Sequence, residues 1–333
     1  MVERATIAQS VQIGCEVTPG TTVAAPRRLG SIGFNLAVKA ESNPLRPIGQ
    51  KYANLQIVGK EWTEAAIEGA PCYTELPYLF ASVMSAGTVT TIMDGATDTL
   101  GRSWAFTSSA FGADTPQTYT VEQGSSVRAH RASNLIVSDM TMNFSRDEVT
   151  IEGTAIGKAI EDGITLTAAP VMLPQVPVRP TEVSFYLDAT AAALGTTKLT
   201  RGLSASFEMA SRFAPVWVVD ADEPSFVATV EAEPEITFKI MQEANAAGMA
   251  QLTAMRNGTT KFLRIEAVGP TIYTGGTTVQ HTMHLDVAGQ VSDVSEFSDE
   301  DGVYAIEWTF GAVVDPTWAK AFAATVITTT AAL

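Results

Sequence analysis

Apolar and polar residues alternate with period two over several stretches of this chain. Ile32, Phe34, Leu36 and Val38 alternate with Gly33, Asn35, Ala37 and Lys39, and Leu203, Ala205, Phe207 and Met209 alternate with Ser204, Ser206, Glu208 and Ala210. Such segments predict strands with one face on a core and the other on water. Met140, Met142 and Phe144 lead through Ser145–Glu148 into Val149–Gly153, which reads as a strand, a polar turn and a strand. His281, Met283, Leu285 and Val287 alternate in the same way ahead of an acidic turn, Ser298–Gly302, and a last strand from Val303 to Phe310. Gly275-Gly276 is expected to be a hairpin turn.

Two segments carry helical spacing instead. Leu76, Leu79, Phe80, Val83 and Met84 fall on one face of a helix over 74–85, with Thr74 as its expected N-cap. Met241, Ala244, Gly248, Leu252 and Met255 form a narrower stripe that Asn257-Gly258 should end. Strands, one central helix and a closing hairpin therefore run from about Leu29 to Ile160, and recur in that order from about Val183 to Val314. The predicted fold is mainly β, in two tandem sandwich or barrel domains each flanked by one short α-helix.

The boundary between the halves is marked by four prolines in Ala168–Pro180, which predict an extended, stiff spacer. The expected organisation is an N-terminal arm (1–28), a first domain (29–167), a linker (168–181) and a second domain (182–333). The arm offers little to a core, 43–60 reads as a long excursion between strands, and Ala86–Gln117 as a surface or interface loop.

Charge narrows the function. The chain of 333 residues carries a formal net charge of −15, about −5 before Ala169 and −10 after it. That acidity argues against a nucleic-acid binder, which needs a basic stripe. No run reaches the ~20 apolar residues of a membrane-spanning helix, so no membrane span is expected, nor is a signal peptide.

Catalytic chemistry has little to draw on. Only three histidines, His130, His281 and His284, are present, and His281 and His284 face opposite ways on a strand. Cys15 and Cys72 lack metal or redox spacing and read as free thiols of a reducing cytoplasm. No enzyme activity, metal or cofactor is expected. Glu61 and Glu64 are the acids a hydrolase reading would pair, and Trp217 and Trp318 the aromatics a surface-binding or adhesin reading would use.

Four short segments in order, Gly14-Cys-Glu-Val-Thr-Pro-Gly-Thr-Thr-Val-Ala-Ala25, Pro44-Leu-Arg-Pro-Ile-Gly-Gln50, Val58-Gly-Lys-Glu-Trp-Thr-Glu64 and Glu75-Leu-Pro-Tyr-Leu79, resemble the major tail tube proteins of long-tailed, siphovirus-like bacteriophages. The likeness is clearest in the first half and extends over the second as a pattern of elements. It implies a self-assembling structural subunit whose sheets join around an acidic channel, in stacked rings that conduct DNA into the host without binding it specifically. With two tube domains per chain, three chains would complete a pseudo-hexameric ring. The alternative is six chains, with the second domain decorating the exterior. The expected partners are further copies of the chain and the tail terminator, tape measure and distal tail proteins. The expected place is the virion tail, after synthesis in the host bacterial cytoplasm. On this resemblance Thr18, Pro19, Gly20, Pro44, Arg46, Pro47, Lys51 and Tyr52 are candidate contacts between rings. Thr141, Asn143, Thr282, His284 and Asp286 are candidates to face the channel.

Overall fold

A computed structural model describes residues 9–92, 100–273 and 278–333. The turn at Gly275-Gly276, the first eight residues of the arm and 93–99 of the Ala86–Gln117 segment lie outside the described residues. The chain begins β1 (Ser10–Cys15), β2 (Arg27–Leu29), β3 (Ile32–Leu45), β4 (Leu55–Gly69), α1 (Leu76–Val83), β5 (Thr88–Ile92) and β6 (Gly101–Thr107). It continues β7 (Tyr119–Gly124), β8 (Ala129–Phe144), β9 (Val149–Gly157), β10 (Glu161–Ile164), β11 (Val171–Met172), β12 (Val183–Asp188), β13 (Gly202–Ala210), β14 (Phe213–Val216) and β15 (Ala228–Glu231). Last come β16 (Glu235–Glu243), α2 (Ala246–Met249), α3 (Gln251–Arg256), β17 (Lys261–Tyr273), β18 (Val279–Val294), β19 (Ser298–Glu300), β20 (Val303–Ala312) and β21 (Phe322–Thr328). The fold is mainly β.

One antiparallel pairing order occurs twice. In the first half the neighbours run β1–β7–β8–β9–β4–β3, and in the second β12–β17–β18–β20–β16–β13. The helices sit in matching places, α1 against β8 and α3 against β18. A local signature fixes the correspondence. Val137-Ser138-Asp139 and Val291-Ser292-Asp293 each hold a β-bulge, against β9 and β20 respectively. The Ser138 hydroxyl donates to the Thr154 carbonyl at 3.0 Å and that of Ser292 to the Thr309 carbonyl at 3.2 Å. Those threonines close the matching runs Ile151-Glu-Gly-Thr154 and Ile306-Glu-Trp-Thr309.

This correspondence corrects the sequence-based one. Met140–Phe144 follow the bulge of β8, whereas His281–Val287 precede the bulge of β18, so the two stretches are not counterparts.

The halves join through a strand pair: β13 lies antiparallel along the end of β8, Met209 opposite Met140 and Phe207 opposite Met142. One row then crosses eight strands, Ile32–Gly69–Ile151–Met142–Phe207–Phe238–Phe310–Val291. Its apolar members are buried, and a single buried cluster runs from Ile13 to Val326 through both halves. Burying each large side chain contributes ~1.5–3 kcal/mol, so this shared cluster is the main force holding the halves together.

Several expectations are corrected here. The proline-rich segment is not a spacer that holds two bodies apart. β11 pairs in parallel with β2, the Val178 N–H donates to the Pro71 carbonyl, and Leu173 and Val178 are buried, so the segment is a strap on the first half. The arm is likewise part of the body, since β1 pairs with β7 and Ile13 is fully buried. Within Ala86–Gln117, β5 and β6 form a hairpin whose β6 pairs with β21, so it extends the sheet of the second half, with Trp104 and Phe106 buried. Helix α1 is buried on every side: Tyr119 of β7 packs against Tyr78 and donates to its carbonyl, the Val137 N–H of β8 donates to the Ser82 hydroxyl, and the Gln117 N–H donates to the Ala81 carbonyl. Its N-cap is Glu75, not Thr74. Thr74 donates to the Pro174 carbonyl at 2.5 Å, while the Glu75 carboxylate accepts from the backbone N–H groups of Gly30 and Ile32 at 2.8 and 3.0 Å. The single helix expected in the second half is two short ones, α2 and α3; they start after Met241 and Ala244, which belong to β16 and the turn that follows it, and α3 ends at Arg256, ahead of Gly258, whose φ of 59° permits the left-handed stop.

Candidate assembly surface

The joint between the halves is built from the bulge outward. At Val137–Asp139 the extra residue turns the backbone so that the Asp139 carboxylate accepts the Ser211 N–H at 2.9 Å and the Ser138 carbonyl accepts the Arg212 N–H at 3.0 Å. Ser211 has φ 56°, which swings the chain off β13 at that point. Arg212 then enters the interior with no side-chain exposure. It donates to the Val83 carbonyl at 2.8 Å and pairs with Asp114 at 2.6 Å and Glu231 at 2.9 Å. Burial alone would raise the Asp114 carboxyl, yet donors on Ser108, Ser109, Ser85 and Arg212 outweigh it and hold it below the ordinary value.

Beyond Arg212, the β14–β15 hairpin folds over the first half. Trp217 packs edge-on against Trp62 at 5.8 Å and Phe226 at 6.0 Å, Lys60 lies over the Trp217 ring, and Glu61 donates its N–H to the Pro224 carbonyl. Trp217 is thus engaged within the chain, as is Trp318 against Phe262 at 6.1 Å. Glu64 pairs with Lys39 across the strands, on the opposite face from Glu61.

The matching positions at the far ends of the sheet stand open. β3 pairs with β4 alone among the described residues, and on its other side the Leu36 N–H meets only the Gln123 side chain, at 3.0 Å. β18 pairs with β17 up to Gly289; past that point no described strand lies on the β17 side. Val38 is 55% exposed.

β3 and β4 also run past the body as a long hairpin. Pro44, Arg46, Pro47, Lys51 and Tyr52 cluster at its tip, where Ile48 and Tyr52 are strongly exposed. Thr18, Pro19 and Gly20 stand elsewhere, in a turn held by the buried Glu16 carboxylate, which accepts from the Gly20 and Asn134 N–H groups at 2.8 Å each.

The five candidate channel residues lie on one side of the sheet. Gly33–Glu68–Glu152–Thr141–Glu208–Thr237–Gly311–Gln290 forms the polar row beside the apolar one. Asn143 is two residues from Thr141, and alternation along β18 puts Thr282, His284 and Asp286 on the side of Gln290. Glu68, Glu152 and Glu208 are exposed, with Glu68 directly opposite Glu152. His284 and Asp286 have partners within the chain: Glu266 at 3.0 Å and Arg264 at 2.6 Å. Burial keeps the His284 imidazole below its ordinary pKa despite that carboxylate.

Among the described residues no cluster of three or more His, Cys, Asp or Glu side chains could hold a metal ion. Burial pushes the Cys15 thiol up to about 12 and raises that of Cys72. No described helix is long and apolar enough to cross a membrane. The paired bulges and the buried Arg212 escaped the sequence reading, although the repeated Val-Ser-Asp and Ile-Glu-x-Thr runs were there to find. No protein-family model matches the chain, and no curated protein matches it.

Proposed function

We propose that this chain is a structural subunit of a bacteriophage tail tube, three copies closing a ring around a channel and rings stacking into a DNA conduit. The observation that carries the reading is the pairing order that occurs twice and joins edge to edge into one sheet, with an open strand at each end. Two like units per chain make three chains the count that gives six units around a ring. Because β13 continues the sheet of β8, the second half belongs to the same wall as the first, which favours three chains over six with an exterior decoration. The exposed glutamates at 68, 152 and 208 give one face a negative potential, suited to a conduit along which a polyanion slides. The exposed β3–β4 tip supplies a contact to the next ring. Partners on this reading are further copies, tail terminator, tape measure and distal tail proteins, and the site of action is the virion tail.

Electron microscopy of the purified protein at rising concentration tests the reading. Rings or tubes with a central hole and threefold symmetry are expected. A chain that stays monomeric under every assembly condition overturns the proposal and favours a surface-binding β protein.

A further inference from the structure

The joint inside the chain is a template for a joint between chains. We propose that the Val291-Ser292-Asp293 bulge is a docking site for strand β3 of a second copy, which lies along the end of β18 as β13 lies along the end of β8. This deepens the tube reading and rests on it, naming the residues through which two copies meet.

The register follows from the repeat. The row Leu36–Ala65–Ala155–Val137 in the first half corresponds to Phe207–Phe238–Phe310–Val291 in the second. Val38 therefore takes the place of Met209, and Val294 that of Met140. Since Met209 stands opposite Met140, Val38 of one copy stands opposite Val294 of the next. Asp293, exposed here, accepts a backbone N–H from β3 beyond Val38, as Asp139 accepts that of Ser211.

Three observations support a second copy as the occupant. An open cleft of about 590 Å³ runs beside the outer edge of β3, lined by Leu36, Gln123 and His130 among others. The Gln123 amide there occupies one strand N–H that an incoming carbonyl would take. Charge is complementary at that register: Lys39 follows Val38 and Asp293 precedes Val294, so a cation and an anion meet at adjacent positions of the two strands. Beside the end of β18, Phe297 and Tyr304 stack at 4.6 Å while 49% and 60% exposed. They offer an apolar seat near the exposed Val38.

The test places Val38→Cys and Val294→Cys in one chain, which is concentrated until it assembles and then oxidised with diamide. Opposite residues of antiparallel strands lie ~4.5–5.5 Å apart, within disulfide reach. A ladder of covalent multimers is expected, absent from either single variant and from Val38→Cys paired with Lys198→Cys. Asp293→Lys, at an exposed position, is expected to lower the assembled fraction about ten-fold or more without changing the melting temperature. Rings that form normally without a ladder overturn this joint and leave the tube reading standing. A chain that never assembles overturns both.

Discussion

Arg212 of the second half and Asp114 of the first form a fully buried ion pair at 2.6 Å across the joint between the halves. Removing one partner leaves the other charged, dry and unpaired. Arg212→Met is therefore expected to cost ~3–5 kcal/mol, because Asp114 and Glu231 lose their buried cation and the Val83 carbonyl loses the Arg212 donor. Urea unfolding of this variant beside Asp114→Asn, which keeps the shape, measures the difference.

The same pair sets an acid limit. The folded pKa of Asp114 lies below its ordinary 3.8, so the unfolded chain takes up the proton first. The stability from this group is fully present above the unfolded value and lost as pH falls through the folded one. Urea midpoints at pH 7, 4 and 3 should drop more steeply for the parent chain than for Asp114→Asn. Parallel curves would refute the assignment.

A second pH dependence lies nearer neutrality. His281 is buried against Tyr73 at 5.6 Å, its Nδ1 has no partner, and burial lowers its pKa from 6.5. The group favours folding above the unfolded value, and that advantage shrinks as pH falls below 6.5. Burial lowers His130 and His284 as well, so thermal stability should decline from pH 7.5 to 5.5. His281→Gln should flatten part of that slope; an unchanged slope would place the effect on the other two.

Glu68 and Glu152 face each other across two strands and repel. Glu152→Gln is expected to stabilise the chain by ~0.5 kcal/mol at low salt, with the gain fading as salt screens the pair. If the parent is the more stable form at low salt, the row is not under electrostatic tension.

Ile48 and Tyr52 are 106% and 73% exposed at the hairpin tip, where the Lys51 ammonium lies 5.4 Å from the centre of the Tyr52 ring. Replacing them with Asp and Ser should shift stability by no more than ~0.5 kcal/mol. On the tube reading the same variant gives single rings that do not stack, which microscopy would reveal.

Legibility in the sequence followed the range of the forces involved. The alternation in β3 and β13 and the stripe of α1 are local signals, and each marked an element. Register is harder, since a period of two looks the same after any shift by two residues, and alternation alone lays the strand of His281 against Met140–Phe144. Only a bulge breaks that symmetry, and its Val-Ser-Asp signature is three residues long. The strap was misread because prolines report stiffness and say nothing of what a stiff segment lies against. Arg212 gives no local sign at all, for its carboxylate partners Asp114 and Glu231 are 98 and 19 positions away.

The loan of β6 to the second half has a consequence in time. Trp104 donates its indole N–H to the Thr330 carbonyl, 226 positions later in the chain. At ~5–20 residues per second of synthesis, β6 waits on the order of 10–45 s for β21 to emerge. The first half can gather around α1 in that interval, but its lent hairpin has an unpaired edge and an exposed indole until the second half is made. Folding of this chain is thus closed by its late segments, and the hairpin is the stretch most in need of protection while it waits.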